Sequence, residues 1–169
     1  MLSRIEIKPI GMIHSPHLDT SKTPIQPVYS KGIRGTVEVY PEYENGLKDL
    51  EAFSHIYLIY YFHKAGGEKL IVKPYLEDVE RGVFSTRAPV RPNHIGISIV
   101  ELVAVKNNIL TVENIDILDQ TPLVDIKPYT TKFDLMENVR SGWQDGIDDQ
   151  TARVRGKRGY DYTLDEIDQ

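Results

Sequence analysis

Two arginines near one proline-rich turn, and three aspartates near the next, form the most chemically loaded stretch of the chain. Arg87 and Arg91 stand in Phe84-Ser85-Thr86-Arg87-Ala88-Pro89-Val90-Arg91-Pro92-Asn93, while Asp116, Asp119 and Asp125 lie on the approach to Lys127-Pro128-Tyr129. A guanidinium suits a carboxylate in fork geometry, and a carboxylate accepts from hydroxyl or ammonium groups. Proline ends strands because it lacks an N–H, and charges placed where strands stop are raw material for a binding site. The pattern therefore implies a pocket that grips both the anionic and the hydroxyl-bearing parts of one ligand. Arg91 and Asn93 are candidate substrate contacts, although in a turn both serve equally to satisfy backbone. Asp125, Lys127 and Tyr129 are candidates for a proton relay or for fixing an acceptor. Asp125 and Lys127 share one strand face, so an ordinary ion pair is the competing reading.

Strands must position these groups. Lys8 to Ser15 reads as a strand and turn, and Thr36-Val37-Glu38-Val39-Tyr40 as a half-buried strand stopped by Pro41. Leu47, Leu50 and Phe53 suggest a short helix within Glu42 to Phe53. Ser54 to His63 is apolar on both faces, as in a central strand covered on both sides, by helix or partner subunit. Ile95 to Val105 and Ile109 to Leu118 flank Lys106-Asn107-Asn108 as a hairpin, and Leu123 to Ile126 adds a short strand. The expected fold is mainly β: a small closed barrel of about six to eight strands over residues 1–130, since closure removes edges. Residues 131–169, where the apolar pattern fades, are expected to form a docked arm or a mobile tail.

Within that arm, Arg153, Arg155, Lys157 and Arg158 form a basic run, followed by acidic Asp161, Asp165, Glu166 and Asp168. The run is either a solvated surface or an arm that contacts phosphates. Around it the chain is acidic, with a net charge of −5 over 169 residues and a mean hydropathy of −0.35. That balance excludes nucleic-acid binding over the whole surface. No apolar run approaches the ~20 residues of a membrane span. The absence of cysteine excludes thiolate catalysis and disulfides, and the histidines lack zinc-binding spacing, so no metal is expected. The N-terminus has no secretory h-region, which points to a cytoplasmic address. Gly66-Gly67 follows His63-Lys64-Ala65 in a loop and makes no Rossmann fingerprint.

Several segments, taken in order over roughly residues 5–130, resemble the TrmO-like (TsaA-like) family. They are Pro9 to Pro16 with Pro24-Ile25-Gln26-Pro27, Leu50 to Tyr57, Gly82 to Asn93, and Asp119 to Tyr129. Members include an S-adenosylmethionine-dependent methyltransferase acting on threonylcarbamoyladenosine beside the tRNA anticodon. The resemblance implies a dimeric barrel that holds S-adenosylmethionine outside the Rossmann scheme. By motif position the cofactor contacts fall at Gln26, Pro27, Val28, His63, Lys64, Arg87, Ile97, Leu118, Asp119, Gln120 and Thr121. Two positions depart from the family pattern: His94 stands for a proline and Gln120 for a glycine. Longer members continue into a further domain, which leaves tRNA and a small molecule both open as acceptors. A module that binds S-adenosylmethionine without turning it over is the third reading. All the cofactor motifs end by Tyr129, so the arm is expected to be separable from cofactor binding.

Overall fold

Six antiparallel strands close into a barrel in the order β1 (Gly11–His14), β2 (Arg34–Val39), β7 (Ile109–Glu113), β6 (Ile95–Lys106), β3 (His55–Tyr61) and β8 (Thr121–Pro128), with β8 returning to β1. A computed structural model describes residues 4–158. A separate two-stranded ribbon joins β4 (Ile71–Val72) to β5 (Arg81–Gly82). The helices are α1 (Thr131–Asp134) and α2 (Asp149–Lys157). The expected mainly-β closed barrel is the fold observed.

Alternation explains the core. On β2, β6 and β7, Val37, Val39, Val100, Leu102, Leu110 and Val112 point inward and are buried. Ile13, Ile56, Leu58 and Leu123 fill the same space from β1, β3 and β8. β-branched residues at every second position suit a pleated strand with one buried face. After β7 the chain leaves the sheet, yet Ile115 and Ile117 remain buried, so this end of the barrel is plugged by its own connection. The strand expected to reach Leu118 therefore stops at Glu113, where Asn114 turns at φ 65°.

One other expectation is corrected. Glu42 to Phe53 is no α-helix but two 3-10 turns, Pro41–Leu47 and Leu50–Ala52, broken by Asp49 at φ 66°. Leu47, Leu50 and Phe53 recur every third residue, which is the 3-10 period. Within one chain, the strand expected to be covered on both faces, by helix or partner subunit, is covered on one. Ile56, Leu58 and Tyr60 are buried, whereas Tyr57 and Ile59 are half-buried and Tyr61 is exposed.

The space for Tyr60 comes from β6. Tyr60 pairs with Gly96 in the β3–β6 register. A Cβ on Gly96 would lie 2.3 Å from the Tyr60 ring, so only glycine admits it. The ring also meets Phe62 edge-on at 5.2 Å.

Candidate functional site

The chain connections sort the candidate residues into two groups. The first sits at the rim of the barrel, where β1 and β3 end and β8 begins. Asp119 accepts a hydrogen bond from the Ser15 backbone N–H at 3.0 Å, and its own N–H donates to the His17 carbonyl. The Gln120 amide donates to the second Asp119 oxygen at 3.2 Å and lies 3.0 Å from His14 Nδ1. Thr121 donates its hydroxyl to the Leu118 carbonyl at 2.6 Å, with His63 Nδ1 at 3.4 Å. Partial burial and the neighbouring Lys64 charge lower the His63 pKa against the pull of Asp119, which keeps its imidazole neutral at pH 7. Lys64 itself is exposed.

Gln120 occupies the left-handed region at φ 61°. The glutamine thus adopts a conformation open to glycine that costs an L-residue ~1–2 kcal/mol. His94, standing where the family has proline, sits at φ 50°, which a proline ring cannot reach. It is anchored by Nδ1 to the Pro89 carbonyl at 2.9 Å.

The second group lies outside the sheet. Arg87 donates through Nη1 to the Gln26 side-chain oxygen, joining two loops 61 residues apart. Gln26 leads into the 3-10 turn Pro27–Tyr29, which faces the outer side of β6. Pro27, Val28, His55, Ile99 and Glu101 line a shallow groove there of ≈ 310 Å³. Ile97, two residues before Ile99 on the same outer face, is also exposed. Arg91 instead turns back onto the Thr86 carbonyl at 3.1 Å, and Asn93 is exposed in the turn.

Asp125 and Lys127 form an ion pair at 3.0 Å on the outside of β8. Tyr129 packs against Tyr57 and His55, with ring centroids 5.9 and 6.4 Å away. Asp125 and Lys127 stand further along β8 than Thr121, and Tyr129 directly follows its opposite end. Among the described residues no group of three or more His, Asp or Glu side chains could hold a metal ion. No helix there is long and apolar enough to cross a membrane.

One polar chain that the motif reading left out runs beneath the rim. Tyr60 Oη lies 3.1 Å from Ser98 Oγ, and Ser98 donates to Asp116 Oδ1 at 2.6 Å. With Asp116 ionised and Ser98 giving it a proton, Tyr60 is the donor to Ser98. Burial raises the Asp116 carboxyl to about 7, opposed by Ser98 and by the Arg87 charge. Its signal in the sequence is a single acid between Ile115 and Ile117, both wholly apolar neighbours. Asp116 opens the segment that carries Leu118, Asp119, Gln120 and Thr121, so it ties the rim group to the barrel interior.

Comparison with known proteins gives the chain its relatives. Residues 12–135 match the model of the tRNA-methyltransferase O N-terminal domain. A probable S-adenosyl-L-methionine-binding protein of Pyrococcus abyssi is 58% identical over 136 residues, covering 80% of this chain and 74% of its own. A human tRNA (adenine(37)-N6)-methyltransferase is 36% identical over 139 residues, or 78% of this chain and 32% of that protein. The crystal structure of TrmO from Pseudomonas aeruginosa superposes with a TM-score of 0.69 at 36% identity. That match covers 83% of this chain and 62% of the solved one, so the chain spans less than two thirds of the crystallised relative.

Proposed function

The chain belongs to the tRNA-methyltransferase O N-terminal-domain family, and from that premise we propose that it transfers a methyl group from S-adenosylmethionine to the exocyclic N6 of an adenosine in tRNA. By the resemblance to TrmO-like proteins, the acceptor is threonylcarbamoyladenosine in the anticodon loop. The observation that carries the reading is Arg87, exposed outside the sheet and oriented by Gln26.

The residues fit this cofactor. Its carboxylate matches Arg87, which uses one N–H group on Gln26 and keeps others. Its ribose hydroxyls or ammonium match Asp119, whose carboxylate retains acceptor capacity beyond Ser15 and Gln120. Pro27, Val28 and Ile99 offer apolar walls for a flat ring. When bound, S-adenosylmethionine supplies a methyl group already activated by its sulfonium. The chain's own residues then have to align the acceptor and exclude water. Neutral His63 stands beside Thr121 at the rim. Asp125 and Lys127, paired with each other, serve to orient the acceptor with Tyr129.

We also propose a homodimer. The outer face of β3 and β6 carries Tyr57, Ile59, Tyr61, Ile97 and Ile99, with Ile97 42% and Ile99 39% exposed, beside Val28 at 75%. A two-fold, self-complementary contact would cover this face and wall in the groove. Sedimentation at micromolar concentration tests it, and a 19.3 kDa species would count against it.

A second reading, binding without turnover, is favoured by the mutual pairing of Asp125 and Lys127, which leaves no free base there. Methyl-labelled S-adenosylmethionine incubated with bulk tRNA, and in parallel with a metabolite extract, separates the readings. Label in tRNA, falling with rising salt as phosphate contacts are screened, supports the proposal. Label only in the extract transfers the activity to a small molecule, and saturable binding with no label in either favours the binding module.

A further inference from the structure

The segment from Gly142 to Arg158 docks against both loops that supply the outer group. It folds as a 3-10 turn, Gly142–Gly146, followed by α2, whose N-cap Asp148 accepts from the Thr151 N–H at 2.8 Å. On the side of Arg87, Trp143 Nε1–H donates to the Ser85 carbonyl at 2.8 Å. The Arg81 guanidinium lies 5.8 Å from the Trp143 ring centroid. Arg155 pairs with Asp78 at 3.0 Å, and Arg158 stacks 3.9 Å from the Tyr75 ring centroid. On the side of Gln26, the Ile25 N–H donates to the Gly156 carbonyl at 3.0 Å. Gly156 is buried, and a Cβ there would lie 2.5 Å from two carbons of the Tyr29 ring. The helix thus rests backbone-to-ring on the Pro27–Tyr29 turn. Ile25 is the neighbour of Gln26, and Ser85 is two residues from Arg87.

We infer that this segment is a strap that sets the Gln26–Arg87 contact, and with it the affinity of the outer group for the carboxylate end of S-adenosylmethionine; the inference rests on the cofactor reading above. Neither Gln26 nor Arg87 lies in a barrel strand, and a single exposed hydrogen bond does not hold two loops in register. Cross-linking both loops through one segment, Trp143 of the 3-10 turn on Ser85 and Gly156 of α2 on Ile25, removes much of that freedom before a ligand arrives, which is preorganisation. Two members of the basic run, Arg155 and Arg158, are engaged within the chain in this way. Gly156, Trp143 and Arg155 are positioning residues, acting through Gln26 and Arg87 rather than on the ligand.

The experiment pairs calorimetric titration of S-adenosylmethionine with hydrogen exchange across Asp149 to Gly156. Gly156→Val forces the helix off Tyr29, Arg155→Ala removes a milder anchor, Arg155→Lys should restore it, and Gln150→Ala is an exposed control. Gly156→Val is expected to weaken binding by at least ~10-fold and Arg155→Ala by a few-fold, with the control unchanged. Coupling between sites is reciprocal, so the ligand should slow exchange in α2 of the wild-type chain. A strap with only a structural role would show no such ligand-dependent protection. Normal affinity in Gly156→Val, with exchange showing α2 released, would overturn the inference while leaving the cofactor reading intact. Absence of saturable binding by the wild-type chain would overturn both.

Discussion

The rim group and the outer group are held by different means. At the rim, Asp119 and Thr121 are fixed by backbone hydrogen bonds to Ser15, His17 and Leu118, with Asp116 buried directly upstream in the same segment. The outer group is one side-chain contact between two loops, Gln26 to Arg87, with the Gly142–Arg158 segment as its brace. Barrel geometry builds the first half of the candidate site. The second half depends on chain segments that no strand register controls. Perturbing the rim should therefore change stability, and perturbing the outer group should change affinity.

The largest test of that contrast is Asp116→Asn. In the unfolded chain this carboxyl titrates at its ordinary 3.8, and in the fold at about 7. Between those values the folded state binds the extra proton, so its contribution to stability falls as pH rises from about 4 to about 7, then levels off. About three pKa units correspond to at most ~4 kcal/mol. Urea unfolding of Asp116→Asn, compared with the parent from pH 4 to pH 8, should lack that slope; equal slopes would remove the rim's buried acid from the account. His17, also buried and held neutral, works in the opposite sense, losing stability as pH falls through its ordinary value of 6.5. It is common to both proteins and cancels in the difference.

Next comes Arg87→Ala, expected to weaken S-adenosylmethionine binding by ~1.5–3 kcal/mol with the melting temperature unmoved. Unchanged affinity in a titration would return Arg87 to a purely structural role. Gln120→Gly relieves a left-handed glutamine, partly offset by the freer unfolded chain, and should stabilise by ~0.5–1 kcal/mol in denaturant titration. Lys127→Ala removes an exposed ion pair whose side chains are 62% and 43% accessible, so stability should move by less than ~1 kcal/mol. If the pair orients the acceptor, the same variant lowers kcat at unchanged cofactor affinity, which single-turnover assays would detect.

Much of the barrel was legible because its strands alternate and its turns carry proline and asparagine. Lys106-Asn107-Asn108 marked the β6–β7 hairpin, and Asn107 does adopt φ 54°. Where reading failed, the sequence obeyed a different constraint. Tyr57, Ile59 and Tyr61 are apolar on the outside of β3, so alternation was hidden. The residues of the second half carry no sheet period, and the arm that braces them docks through a glycine, a tryptophan N–H and arginine–ring contacts, none of which makes an apolar stripe. The Tyr60–Ser98–Asp116 chain escaped because its members lie on three elements, aligned only by the strand register.

Ring closure also carries a kinetic consequence. β1 and β8 meet through Gly11↔Leu123 and Ile13↔Thr121, and the bond from Ser15 to Asp119 spans 104 residues. Contacts this distant in sequence form slowly, because a long loop must close before any of them is gained. During synthesis the first strand has to wait, unpaired on one edge, until residues past 120 have emerged. The rim then appears in a single late event, together with the disappearance of the last open edge. Acquisition of the ligand's hydroxyl-binding end thus doubles as a report that the barrel has shut, and a stopped-flow refolding experiment followed by ligand binding would find the two rates equal.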